Sequence, residues 1–289
     1  MIAQEKSELD TLREGGRRLA GILAEVVSAV RPGVSTLELD RLAESLILSS
    51  GGEPAFKGYR TRKSDPPFPA NLCTSVNDEV VHAIPRRDRI LREGDIVGLD
   101  IGMCWPSASQ KSKVPAPEQV RYGVGKSQKF EGGGLITDMA VTVPVGRVSV
   151  RARRLLAVTE CALAAGIAVL KPGIHLGDLG QAIQRAIEAG GLGVIRELVG
   201  HGVGRTLHES PYVPNFGRSG TGPVVREGMV LAIEPMATLG DYRVKLDPDG
   251  WTFRTRDGSL AAHFEHTVIV TKDGAEVLTK ADNNDEMTI

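Results

Sequence analysis

A chain of 289 residues with 41% apolar content is long enough to bury one large core or two modest ones. Its near-equal acids and bases leave a formal net charge of −1, which excludes the strongly basic character of a chain built mainly to bind nucleic acid, DNA included. Cys73, Cys104 and Cys161 are odd in number and lack Cys-x-x-Cys spacing, so neither a disulfide framework nor a thiolate zinc site is indicated and a reducing compartment is expected.

The opening residues Met1–Asp10 are polar and lack the basic start and apolar stretch of a secretory signal. No window approaches the roughly 18 apolar residues of a membrane span, and the longest apolar run, Ala162–Leu170, suits a helix of a soluble core. A soluble, cytoplasmic monomer is expected, with no membrane partner. Apolar residues recur at helical spacing over Leu9–Val30 and Leu37–Leu48, with Pro32-Gly33 redirecting the chain between them. Short Val- and Ile-rich strands follow. Helical spacing returns over Leu155–Leu170 and Leu176–Ala189, again separated by a Pro-Gly step at Pro172-Gly173. The pattern is α+β, with helices outside a curved antiparallel sheet.

Several of these segments occur twice. Arg92-Glu93-Gly94-Asp95-Ile96-Val97-Gly98-Leu99-Asp100 is answered by Arg226-Glu227-Gly228-Met229-Val230-Leu231-Ala232-Ile233-Glu234, each ending in a carboxylate. Val30-Arg31-Pro32-Gly33-Val34 is answered by Leu170-Lys171-Pro172-Gly173-Ile174, and the acid-led strand Asp138–Val143 by Glu265–Val270. A period of roughly 130 residues is far longer than the about 20–50 of solenoids and propellers. It predicts one catalytic domain over residues 1–289, with pseudo-two-fold halves at about 30–150 and 165–278.

If such halves pack symmetrically, Asp100, Asp138, Glu234 and Glu265 converge on one space. Acids are disfavoured in strand interiors, and a buried ionised carboxylate without a partner costs several kcal/mol. A cation must sit among them. Hard oxygen donors suit Mg, Ca or Mn, and an added imidazole moves the preference toward Mn, Fe, Co or Zn. Gly200-His201-Gly202-Val203-Gly204 supplies that imidazole in a segment whose glycines permit close approach, and His208 follows.

These residues carry a resemblance to the type I methionine aminopeptidases of peptidase family M24, the pita-bread fold. The likeness runs from about Ser7 to Leu278 and includes Thr74–His82, Gly94–Val97 into Asp100, Gly200–Gly204, His208-Glu209-Ser210-Pro211, Ile233-Glu234-Pro235-Met236 and Phe264-Glu265-His266-Thr267. The resemblance implies a metal-dependent aminopeptidase that removes the initiator methionine from nascent polypeptides. Two divalent metal ions (Mn, Fe(II), Co or Zn) are implied: Asp100 and Asp138 would bind one, His201 and Glu234 the other, and Asp138 and Glu265 would bridge them. A metal-bridging hydroxide would attack the first peptide bond, with Glu234 shuttling its proton, His208 steadying the oxyanion and His82 lying beside the substrate's amino end. Tyr59, Phe68, Cys73 and Trp251 would line the methionine pocket, and a monovalent cation is a further expectation near Ser75 and Asn77. Cys73 is not expected to be a nucleophile. His263 and His266 flank Glu265 without being needed as ligands, and His175, at a helix entry, reads as structural.

The chain departs from the family pattern where a loop of roughly Trp105–Gly133 separates Asp100 from Asp138. The loop is rich in Ser, Lys, Gln and Pro, and three readings of it stay open: a solvated surface loop, a basic excursion that contacts the ribosome, or a segment that overhangs the active-site mouth and limits substrate size. Met139 and Ala83 also differ from the residues expected beside Asp138 and His82. Two other functions use the same scaffold. A Xaa-Pro aminopeptidase resembles chains with a large additional N-terminal domain, whereas here only the residues before Thr74 precede the first motif. An inactive scaffold that binds protein or RNA would be expected to have lost ligands, and this chain keeps all five.

Overall fold

The computed structural model describes residues 1–62, 64–107 and 134–280. Four helices form where the apolar spacing predicts them: α1 (Lys6–Ser28), α2 (Thr36–Ser49), α3 (Val150–Val169) and α4 (Leu176–Ala189). Helices α1 and α3 start earlier than the spacing suggests because their first turns are polar and are set by caps. Ser149 accepts from the Ala152 N–H at 3.1 Å to open α3, and Ser35 and Glu38 form a reciprocal capping box that opens α2. The two Pro-Gly steps turn the chain through Gly33 and Gly173, at φ 92° and 91°. Side chains rarely adopt this left-handed region.

A nine-stranded antiparallel sheet forms the centre. Its order is Glu53–Pro54, Ile96–Trp105, Leu135–Pro144, Glu265–Val270, Val230–Ile233, Gly200–Gly202, Glu209–Val213. Leu72–Val76 also pairs with Ile96–Trp105, and Ala275–Val277 with Glu265–Val270. The repeated segments occupy matching places on either side of the seam between Leu135–Pro144 and Glu265–Val270. The seam ladder is short, with Glu265 opposite Ala140 and His266 opposite Met139. Two threonines extend it. Thr267 Oγ1 accepts from the Asp138 N–H at 2.8 Å and donates to the Asp138 carbonyl at 2.7 Å. Thr142 Oγ1 does the same for His263, at 2.9 and 2.8 Å.

The strands are buried on both faces, but the faces differ. Val97, Leu99, Ile101 and Met103 join Met139, Val141, Leu231, Ile233 and Val268 in the large apolar core that also takes the buried stripes of the helices. Each fully buried leucine or isoleucine there contributes about 1.5–3 kcal/mol. Alternation turns Asp100, Asp138, Glu234 and Glu265 to the opposite face. No helix among the described residues is long and apolar enough to cross a membrane.

Candidate metal centre and active site

The four carboxylates and His201 are all buried. One carboxylate oxygen from each of Asp138 and Glu265 and a ring nitrogen of His201 lie within 4.8 Å of one another. His201 Nε2 is 3.4 Å from Glu234 Oε1 and 4.0 Å from Asp138 Oδ2. Its other nitrogen, Nδ1, is within 3.0 Å of the Gly202 carbonyl, which orients the ring with Nε2 toward the acids. Gly200 is what allows this approach. A Cβ there would sit 2.4 Å from the Ala232 carbonyl oxygen and 3.3 Å from Glu234 Cγ. Asp100 faces Cys73 across the Leu72–Val76 ladder, and the Cys73 thiol hydrogen-bonds its carboxylate.

Asp100 Oδ1, Asp138 Oδ1 and Glu265 Oε1 are buried with no hydrogen-bond partner. In a native interior nearly every buried polar atom is paired, so three orphaned carboxylate oxygens in one space call for a ligand. Burial pushes Asp100 up to about 7, with the Cys73 thiol pulling it back. Burial, and then the charges of its carboxylate neighbours, hold Asp138, Glu234 and Glu265 well above the usual carboxylate range. Burial takes His201 down to about 4, so its ring is neutral and free to donate a lone pair. Oxygen-rich donors with one imidazole fit a pair of divalent first-row cations.

Beside His201 stands His208, with ring centroids 4.2 Å apart. Its Nδ1 meets the Tyr59 hydroxyl at 2.6 Å. Burial raises the Tyr59 pKa to about 12 and holds His208 well below its usual value. Both groups are therefore neutral, and a phenol donating to Nδ1 would leave the imidazole's proton on Nε2. Phe68 packs edge-on against Trp251 at 5.3 Å and against Phe56 at 6.4 Å, and all three share one apolar cluster with Cys73. Burial drives the Cys73 thiol well above its ordinary pKa, which leaves no thiolate to act as a nucleophile.

His82 lies at the end of the Glu79–Val81 strand with φ 57°, and its ring stands 6.0 Å from that of Phe253. Arg254 fixes this strand, reaching Glu79 at 2.7 Å, Asp78 at 3.1 Å and Asp247 at 2.6 Å. Near the position expected for a monovalent cation, the Asn77 side-chain amide donates to Asp95 at 2.8 Å and accepts from the Ile96 N–H at 3.1 Å. His175 does structural work. Its N–H donates to Asp178 and its Nδ1 meets the Gly222 carbonyl, both at 2.8 Å. His266 Nδ1 lies 2.9 Å from Thr279 Oγ1.

Asn215 escaped the sequence reading, and His263, expected only to flank Glu265, also faces Glu234. Asn215 Nδ2 donates to the Glu234 carbonyl at 2.9 Å, and nothing local in its segment announces this. His263 is turned inward, with Nε2 3.6 Å from Glu234 Oε2 and 3.9 Å from Glu265 Oε2. The signal for it was present, since residues i and i+2 of an extended segment share a face and His263 is two before Glu265.

The sequence profile of the metallopeptidase family M24 matches residues 10–109 and 129–272. The chain belongs to this family. It is an enzyme, a hydrolase, and its fold is the pita-bread fold. A methionine aminopeptidase of Clostridium perfringens is 41% identical, over 96% of this chain and 98% of its own. The crystal structure of methionine aminopeptidase from Thermotoga maritima superposes with a TM-score of 0.82 at 41% identity, covering 97% of this chain and all of that one. Prolidase from Pyrococcus furiosus, at 20% identity and a TM-score of 0.67, shares the fold, and this chain covers 65% of its length. The M24 match leaves out residues 110–128, inside the segment expected to be an added loop. Residues 108–133 lie outside those described, and with them the expected ribosome contact and most of the expected loop; Trp105, its first residue, ends the Ile96–Trp105 strand.

Proposed function

We propose that this chain is a two-metal methionine aminopeptidase, acting as a single catalytic domain on nascent polypeptides in the cytoplasm. The observation that carries it is the convergence of Asp100, Asp138, Glu234, Glu265 and His201, with three buried carboxylate oxygens left unpaired. Asp100 and Asp138 would hold one divalent ion and His201 and Glu234 the other, with Asp138 and Glu265 shared. When bound, such ions supply Lewis-acid polarisation of the scissile carbonyl and a water acidic enough to be a nucleophile near neutral pH.

The remaining work belongs to side chains. Glu234, its carbonyl held by Asn215, takes a proton from the attacking water and delivers it toward the leaving amine. His208 donates from Nε2 to the developing oxyanion, and Tyr59 keeps that proton on the correct nitrogen. His82 borders the substrate's amino end. The Phe68–Trp251 edge contact, Tyr59 and Cys73 offer a soft apolar wall to a thioether, which aromatic edges and sulfur suit.

The test is cleavage of Met-Gly-Met-Met and of Xaa-Pro peptides by metal-stripped protein, with Mn, Fe(II), Co or Zn restored singly. Metal-dependent release of free methionine is expected. Selective cleavage of the Xaa-Pro peptides, or metal binding with no cleavage, would overturn the proposal.

A further inference from the structure

His263 is the one imidazole at the centre that the proposed chemistry leaves idle, and its setting is costly. It is 3% exposed, and its Nε2 is buried with no hydrogen-bond partner. That nitrogen faces Glu234 Oε2 at 3.6 Å and Glu265 Oε2 at 3.9 Å. On the other side of the same carboxylate, His201 Nε2 stands 3.4 Å from Glu234 Oε1. Glu234 thus stands between two imidazoles, one facing each oxygen.

The mount beneath His263 is rigid. Its N–H and carbonyl are both tied to the Thr142 hydroxyl, and the Ala261–His263 strand sets it opposite Met236, two residues beyond Glu234. With Asn215 fixing the Glu234 carbonyl, ring and carboxylate are each anchored through the backbone. Separations of 3.6 and 3.9 Å exceed a hydrogen bond, yet a small rotation of either carboxylate closes one of them, and among the described residues this nitrogen has no hydrogen-bond partner. A ring N–H at this place, between two carboxylates proposed as ligands, would do what partners of metal ligands do elsewhere: fix which oxygen faces the ion and which faces the protein.

We infer that His263 is a positioning residue of the metal centre. It donates from Nε2 to the outer oxygen of Glu234 and so leaves Oε1 for the metal and for proton transfer, without being a ligand itself. The inference rests on the two-metal hydrolase reading. It predicts that an amide of similar reach serves in its place, whereas a hydrocarbon does not.

The experiment compares the parent chain with His263→Gln and His263→Leu. Mn(II) affinity is read by calorimetry, nitrogen coordination by pulsed EPR of the Mn(II)-loaded proteins, and kcat and KM on Met-Gly-Met-Met, with thermal melts as a check on folding. His263→Leu should weaken Mn(II) binding or lower kcat by about 10–100-fold, with KM within about threefold, and His263→Gln should recover most of the loss. The nitrogen signature should be that of one imidazole in all three proteins. A second imidazole signal in the parent, lost in His263→Leu, would overturn the positioning role in favour of direct ligation. Equal behaviour of the Gln and Leu variants would overturn it outright. The affinity and EPR readouts do not require turnover, so a parent chain that binds metal but cleaves nothing would count against the proposed function and leave this inference to be judged separately.

Discussion

The two halves of the sheet deliver the same carboxylates but not the same imidazoles. In the first half, Ser75 lies opposite Gly98 on the strand leading to Asp100. In the second, His201 lies opposite Ala232, which holds the matching place on the strand leading to Glu234. Where one half puts a serine, the other puts the histidine proposed as a metal ligand, and His208 and His263 come from that second half too. The scaffold's symmetry thus fixes the acids, and departure from it would make the two proposed cation positions chemically unequal: one would be all oxygen, and the other would have nitrogen in its donor set. Hard all-oxygen sites release first-row ions more readily than sites that include imidazole.

The strongest way to break this comparison is to remove a group that both halves share. Asp138→Ala should lower turnover by at least about 10³-fold and remove both metals, as counted by elemental analysis after gel filtration. Asp100→Ala should cost only the weaker ion, and Glu234→Ala should abolish turnover while loosening the tighter one. Equal loss of both ions in all three variants would mean that the halves do not hold separate sites.

A smaller effect sharpens the contrast within the second half. His208→Ala should lower kcat by about 10²–10³-fold with metal content intact, as loss of an oxyanion donor does. Tyr59→Phe, which removes only the bond that sets the tautomer, should cost about tenfold. If Tyr59→Phe were as damaging as His208→Ala, the phenol would be acting on the substrate itself.

The acids also predict a pH dependence for metal-stripped protein. His82 and His201 are held near 4 and His263 near 3, below their usual 6.5. Below about pH 6.5 the unfolded chain therefore binds protons that these folded imidazoles refuse, which makes stability rise with pH. The raised carboxylates, with Asp100 near 7, act in the opposite sense and offset this. Above about 6.5 the imidazoles are neutral in both states and only the carboxylates remain. The folded chain then holds protons that the unfolded chain has lost, so stability should fall as pH rises to 8. Metal binding displaces those protons, so above about pH 6.5 the loaded protein should lose most of this slope, the two states then binding nearly equal numbers of protons. Melting curves at several pH values with and without Mn(II) measure both slopes.

Much of this was legible in the chain because it rests on local rules. Doubled segments such as Arg92–Asp100 and Arg226–Glu234 predicted the symmetry, and helical spacing located the four helices, because alternation and apolar periodicity are imposed by burial. Tyr59 and His208 could be assigned to the site only through family likeness. Their hydrogen bond joins residues 149 positions apart, and no spacing rule reaches that far. Asn215 was invisible for the same reason. His263 was read as flanking Glu265 without being needed as a ligand; that it also faces Glu234 depends on tertiary packing, which no local rule reaches. Residues that satisfy a ligand motif are easier to read than those that hold the ligands still.

The smallest effects should appear at the seam where the halves meet. Thr267→Val leaves the Asp138 N–H and carbonyl without the hydroxyl that serves both, and Thr142→Val does the same to His263. Each leaves buried backbone groups unsatisfied, at a cost of about 1–3 kcal/mol. Ser35→Ala, which removes a helix cap remote from the seam, should cost about 1 kcal/mol. All three should lower the denaturant midpoint, but only the threonine variants should also weaken Mn(II) binding, because their partners are a metal ligand and the imidazole beside one. If Ser35→Ala weakened the metal as much as Thr267→Val did, the seam would be ordinary structure, and the precision of the metal site would have to come from the sheet as a whole.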